Sequence, residues 1–227
     1  MAYILSIESS TKNCSVALFK EDQCLMLKEQ VGEQFIHSEQ LHLFVEEVLE
    51  SQSFLVKNLD AIAVGSGPGS YTGLRIGLSS AKGLAYALGI PLISENGLSI
   101  LSHQLKRQTK LEEDALLLPM IDARRMEVYM ATYNASLQQL SPVRPEIIES
   151  DIFTADRPHY FFGDGATKFQ GILLKPNYHF PELFYPSALA LGEIAFTKFE
   201  NREFEDLAYF EPLYVKNFQA VKAKKLI

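Results

Sequence analysis

The residues best suited to chemistry lie in a few short segments. Gly65-Ser-Gly-Pro-Gly-Ser-Tyr-Thr-Gly-Leu-Arg-Ile-Gly77 is a glycine-rich turn running into a helical pattern. Free backbone N–H groups at such a helix start, with the helix dipole, can hold an anion. Neither common phosphate motif is complete, however. No Lys follows as a P-loop requires, and the residue three after Gly69 is Thr72, not the glycine of a dinucleotide fingerprint. The same glycines can serve tight helix packing instead, with Thr72 or Ser70 as the cap. Gly163-Asp164-Gly165 offers either close approach to a nucleotide or an ordinary strand-end turn. Asp122, Arg124 and Arg125 read as a salt-bridged turn or as a partner contact.

Metal chemistry finds little footing. His37 and His42 are five apart, which places them ~140° apart on a helix and unable to share an ion. No zincin motif is present, and His103, His159 and His179 are isolated, as packing or loop histidines usually are. Cys14 and Cys24 match no metal or disulfide spacing and read as core thiols of a reducing compartment.

The chain that must position these groups has 227 residues, enough for one large domain or two small lobes. Hydrophobic residues make up 47% and charged residues 22%, an ordinary globular balance. A net charge of -7 argues against unaided binding to a phosphate backbone, which Lys and Arg drive. The stretch from Lys216 to Lys225 is a local exception. It holds Lys216, Lys222, Lys224 and Lys225 with no acid, and reads as a solvated terminus or a nucleic-acid or partner contact. The start is too short an apolar run for a secretory signal and no stretch approaches a membrane span, so the cytoplasm is expected.

Three β-favouring runs, Ala2–Ile7, Ser15–Phe19 and Cys24–Lys28, are joined by polar turns and predict an antiparallel meander. Leu41, Phe44, Val45, Val48 and Leu49 then follow helical spacing, with Ser38 as the expected N-cap. Ala61–Gly65 reads as a buried strand, followed by a helix to about Leu88, a strand Pro91–Ser94 and a helix from Ser99. This βββαβαβα order is the unit of the ribonuclease H-like fold. A weaker echo follows: strands at Ala115–Ile121, Glu127–Tyr133 and Tyr160–Phe162, then a helix over Pro186–Glu200. The expected organisation is therefore α/β with two ribonuclease H-like lobes, 1–108 and 109–227, parted at the hydrophilic segment Lys106–Asp114.

The second helix carries only Arg75 and Lys82 as charges. Leu74, Leu78, Ala81, Ala85 and Leu88 line one apolar face, and Ile76, Gly77, Ser80, Gly83, Leu84 and Ala87 extend small or apolar character around the rest. A one-sided surface helix would carry a wider charged face. Such a helix is buried on one side by its own sheet and on another by a partner, or is sandwiched within the monomer.

The glycine-rich string GSGPGSYTGLRIG closely resembles the TsaB (YeaZ) family, together with IESST near the start, DARRMEVY at 122–129 and GDGA at 163–166. The resemblance covers nearly the whole chain. It implies the actin-like ATPase superfamily and a non-catalytic scaffold subunit of the machinery that makes threonylcarbamoyladenosine in tRNA. It further implies a homodimer when alone, a similar pairing with a TsaD-like catalytic subunit through the first two helices, recruitment of a TsaE-like ATPase, and only indirect contact with tRNA. The matching interface positions are Leu41, His42, Val45, Arg75, Ile76, Ser80, Ala81 and Leu84. The metal-binding His pair of TsaD-like proteins has no counterpart at 94–103, where only His103 occurs.

Actin-like enzymes bring an acid and a glycine in the first hairpin to their phosphates. Here Ser9, Ser10 and Thr11 follow Glu8 without a glycine. The expectation is no required cofactor, with weak ATP or ADP binding at Ser9, Ser10, Thr11, Gly163 and Gly165. The alternative is an actin-like phosphotransferase acting on a small metabolite, which would need a complete nucleotide cleft and a catalytic acid facing it.

Overall fold

The three interior strands of the first sheet must be buried on both faces, because helices cover both. A computed structural model describes residues 1–32, 36–149, 152–154, 156–182 and 184–216. Its first half runs β1 (Tyr3–Glu8), β2 (Asn13–Lys20), β3 (Gln23–Val31), α1 (His37–Ser51), β4 (Ala61–Gly65), α2 (Tyr71–Leu88), β5 (Leu92–Glu95) and α3 (Gly97–Gln108). The sheet order is β3-β2-β1-β4-β5, with β1–β3 an antiparallel meander and β1, β4 and β5 parallel.

Alternation along each strand divides the side chains between two layers. Leu5, Ile7, Val16, Leu18, Ile62 and Val64 pack against Leu41, Phe44 and Val48 of α1 and Leu78, Ala81 and Ala85 of α2. Ile4, Ala17, Phe19, Ala61, Ala63 and Ile93 face the opposite way. Each fully buried large apolar side chain contributes ~1.5–3 kcal/mol. Ser70 caps α2 by accepting from Gly73 N at 3.2 Å, and Gly89 ends the helix in the left-handed region. The expected Ser38 cap is not formed. α1 starts at His37, two residues earlier than a Ser38 cap would set it, its N-cap Ile36 has no side-chain cap bond, and Ser38 lies in the first turn.

The second half runs β6 (Leu116–Asp122), β7 (Glu127–Met130), β8 (Tyr133–Asn134), β9 (Arg144–Ile147), β10 (His159–Phe162), β11 (Tyr178–His179) and α4 (Ala188–Glu200). These strands form a second sheet in the order β11-β10-β6-β7-β9, with β8 beside β6. β9 escapes the sequence reading because Pro145 and Glu146 interrupt its pattern, which an edge strand tolerates. α3 packs Leu98, Leu101 and Leu105 against Leu117, Ile121, Tyr160 and Phe162, joining the two sheets.

The expected division at residue 108 does not follow the packing on its C-terminal side. Ala188, Ala190, Leu191 and Ala195 of α4 cover the free face of the first sheet, against Ile4, Phe19 and Ile93. The chain after α4 then returns along the first lobe as a strap. Glu205 N donates to Leu92 O at 2.9 Å, Leu213 N donates to Ser66 O at 2.8 Å, and Lys216 finally pairs with Glu127 of the second lobe. The physical reason is that the first sheet has a second apolar face, which only a later segment is free to cover. Of the basic stretch, Lys222, Lys224 and Lys225 lie outside the described residues.

Candidate functional site

The β1–β2 turn is sealed rather than open. Glu8, Ser9, Ser10 and Thr11 are all buried. Glycines four residues apart close over this turn. A Cβ at Gly65 would stand 1.8 Å from Glu8 Oε2, at Gly69 2.0 Å from Ser10 O, at Gly73 2.2 Å from Ser9 O, and at Gly77 2.1 Å from Ser9 Oγ. Hydrogen bonds lock the contact: Ser70 N donates to Ser10 O at 2.6 Å and Ser9 Oγ donates to Gly73 O at 2.9 Å. The glycines of the most distinctive segment therefore serve close packing, Gly69 and Gly73 against the turn's backbone and Gly65 and Gly77 against its Glu8 and Ser9 side chains, the second of the two readings the sequence allowed.

Glu8 is the acid a phosphotransferase would need, and its surroundings do not suit that work. Its Oε1 accepts from Ser10 N at 2.7 Å, while Oε2 has no partner among the described residues. Burial pushes its carboxyl above the usual range, against the opposing pull of the Ser10 hydrogen bonds. Of the expected nucleotide contacts, Ser9, Ser10 and Thr11 are walled in. Gly163 and Gly165 pack on β6, where a Cβ would meet Met120 O at 2.4 Å and Ile121 C at 3.0 Å respectively. Asp164 between them accepts from Asp122 N at 3.1 Å, and its carboxyl is pushed up to about 6, chiefly by desolvation.

The α1–α2 surface separates the expected interface residues into two sets. Leu41, Val45 and Ala81 are buried in the core of the first lobe, so they are corrected from partner contacts to monomer packing. The reason is geometric: both helices lie on one face of the sheet, and these three positions point down at it. His42 and Arg75 are exposed, while Ile76, Ser80 and Leu84 are half-buried. His42 Nε2 and Ser80 Oγ, 3.3 Å apart, tie the two helices at the surface.

Sequence reasoning missed Leu43, Ser79 and Tyr86 as members of this surface. Tyr86 is 81% exposed and Leu43 47%. The signal was available for α2, since Ile76, Ser79, Gly83 and Tyr86 recur at helical spacing on one stripe. The two charges of α2 are both engaged by the strap. Lys82 Nζ donates to Phe210 O at 3.1 Å, and Arg75 Nε donates to Tyr214 OH at 3.2 Å while its guanidinium stacks over the Tyr71 ring. What remains exposed along the α2 stripe is uncharged: Ser79, Gly83 and the ring of Tyr86. Among the described residues, nothing lies within 4 Å of where a Cβ on Gly83 would project.

Among the described residues, no three His, Cys, Asp or Glu side chains gather as a metal site would require. His159 is buried among Phe153, Phe161 and Tyr178, and His103 lies 3.7 Å from Glu193. No described helix is long and apolar enough to cross a membrane.

Comparison with known proteins agrees with this architecture. The family described as TsaD, tRNA N6-adenosine threonylcarbamoyltransferase, matches residues 34–158. The tRNA threonylcarbamoyladenosine biosynthesis protein TsaB of Escherichia coli (strain K12) is 28% identical over 232 residues, covering 96% of each chain. That of Bacillus subtilis (strain 168) is 33% identical over 172 residues, 70% of each. Among solved structures, YeaZ from Pseudomonas aeruginosa superposes with a TM-score of 0.78 at 25% identity, over 94% of this chain and all of the other. A second Pseudomonas aeruginosa protein, described as similar to peptidase YEAZ, gives 0.82 at 26% identity, over 95% of this chain. The two-lobed fold, the sealed glycine segment and these relatives together place the chain in the TsaB (YeaZ) family of tRNA threonylcarbamoyladenosine biosynthesis proteins, with the actin-like fold.

Proposed function

We propose that this chain is a non-catalytic subunit of the threonylcarbamoyladenosine machinery, which pairs with a TsaD-like transferase through the exposed stripe of α1 and α2. Alone, it pairs with a second copy through the same stripe. In the assembly it helps recruit a TsaE-like ATPase, and tRNA makes its main contacts with the partners. The observation that carries this reading is Gly83. A glycine inside a helix costs ~1 kcal/mol relative to alanine, yet among the described residues nothing lies within 4 Å of where its side chain would project. A partner backbone approaching the stripe explains the vacancy. The sealed β1–β2 turn and the buried Glu8 support the absence of phosphotransfer chemistry.

The test is Gly83→Arg. Arginine is a better helix former than glycine, so the variant keeps its fold and melting temperature. It is expected to sediment as a monomer, to lose the TsaD-like subunit in a pull-down, and to abolish stimulation of threonylcarbamoyl transfer in a reconstituted reaction. Retained dimer and retained stimulation would refute the surface. ATP turnover by the purified chain, lost on Glu8→Gln, would refute the non-catalytic role.

A further inference from the structure

The strap that follows α4 is seated against α2 by its apolar residues and turns an aromatic ring outward. Asp206-Leu-Ala-Tyr-Phe210 forms one tight turn. In it Phe210 N donates to Asp206 O at 2.8 Å, and Asp206 Oδ1 accepts from Ala208 N at 2.9 Å and from Tyr209 N at 3.2 Å. Leu207 and Phe210, three apart, pack onto the core of the first lobe. Tyr209 is left 84% exposed on a backbone these bonds fix. Lys82 Nζ holds the carbonyls on either side of it, Ala208 O at 3.3 Å and Phe210 O at 3.1 Å. Tyr86, almost as exposed, follows Lys82 by one turn of α2. Two turns before Lys82, the strap's Tyr214 lies 5.0 Å from the Tyr71 ring and accepts from Arg75. Rings therefore border the α2 stripe along its strap side.

Area, charge and relief all favour a second copy of this chain as the cover of this border. A stable pair needs ~800 Å² from each partner. Ser79, Gly83 and Ala87 are too small to supply much of it, whereas one buried aromatic side chain contributes ~150–250 Å². Tyr86 and Tyr209 together offer about half of the requirement. Arg75 and Lys82 are the only charges on α2, and oxygens of the strap take up both. Two copies of α2 can then meet without like cations facing each other, as a symmetric contact requires. The outer row of α1 differs, because Glu39, Glu46 and Glu50 are exposed along it. A pairing centred there would set acid against acid, so the contact centres on α2 and its strap. The low floor at Gly83 beside the raised ring of Tyr86 gives one surface both a hollow and a knob.

We propose that residues 204–214 of the strap form one wall of the docking surface, and that Tyr209, together with Tyr86, packs against a second copy of this chain. The inference rests on the pairing reading above and adds to it a segment from the far end of the chain. Exposed tyrosines suit this task, since they bring large contact area with few rotatable bonds and are enriched among the residues that dominate pairing energy.

The experiment is sedimentation equilibrium of the full chain, with thermal melts of the same samples. Tyr209→Ser removes an exposed ring and should leave the melt unchanged. It is expected to weaken self-association by ~10- to 100-fold, because both copies lose the ring. Tyr86→Ser should act in the same direction. Tyr209→Phe keeps the ring and should pair like the wild type, as should Leu174→Ser, which alters a residue 76% exposed in the second half of the chain. Wild-type pairing by Tyr209→Ser overturns the inference. So does a Tyr209→Ser chain that keeps its dimer but loses the TsaD-like subunit in a pull-down, which would give the wall to that partner instead. Gly83→Arg in the same run separates the two readings. If it is monomeric while Tyr209→Ser stays dimeric, only the strap's part falls. If both stay dimeric, the α2 docking surface falls with it.

Discussion

The α1–α2 stripe and the β6–β7 turn are both exposed, and they are opposite kinds of surface. On α2 the two charges are tied down by the strap, and the uncovered residues beside them are uncharged, among them Ser79, Gly83 and the ring of Tyr86. On the turn the acids are tied down, and the arginines have no ion-pair partner among the described residues. The first surface suits shape-matched burial, whose strength is little affected by salt. The second suits charge recognition, which salt screens. The two surfaces thus differ by lobe, one uncharged along α2 and one cationic at the β6–β7 turn.

The largest effect comes from crossing the boundary between the inner and outer faces of α2. Ala81→Arg buries an unpaired charge in the core of the first lobe, beside Leu5 and Leu41. It is expected to cost several kcal/mol, on the order of the whole stability of a domain, and to give insoluble or molten protein by circular dichroism. Two residues along, Gly83→Arg should leave the melt intact. Equal soluble yield and equal melting for the two variants would erase the distinction between the faces.

Salt gives an intermediate contrast. Raising it from about 50 to 200 mM should leave the self-association constant within a few-fold, while any arginine-dependent part of tRNA binding falls by ~4- to 16-fold. Sedimentation and anisotropy on the same samples check this directly, and a dimer as salt-sensitive as RNA binding would contradict the assignment of surfaces.

The smallest effect concerns Asp164. Its folded-state pKa is raised from 3.8 to about 6, so the folded protein favours the protonated carboxyl. That contribution is present in full below 3.8 and is lost as pH rises through about 6. Asp164→Asn retains an oxygen to accept from Asp122 N without a charge to desolvate. The variant should match the wild type at acid pH and melt a few degrees higher at pH 8. A gap of equal size at both pH values would show that the carboxyl's ionisation is not the cause.

The periodicities of the first lobe were legible because they are local. Ala61–Gly65 as a strand and a helix ending at Leu88 are where the sequence pattern puts them. The strand β9 was not legible, because Pro145 and Glu146 mask it. Nor was the capture of α4 by the first sheet, since its apolar residues fit either lobe equally well. The site was half legible. The small, weakly charged character of α2 can be read from residue types, but which of Ser80, Ala81 and Gly83 face outward depends on where the helix lies on its sheet.

The sequence alone determined the element order of the first lobe, the family string from Gly65 to Gly77, and the scarcity of charge on α2, because these follow from residue type and local spacing. Only the tertiary structure decided that glycines four apart seal the β1–β2 turn, that Ala81 points inward while Gly83 points outward, and that Arg124 and Arg125 have no ion-pair partner among the described residues. Each of those depends on contacts between segments distant along the chain. Spacing along one segment carries no information about them.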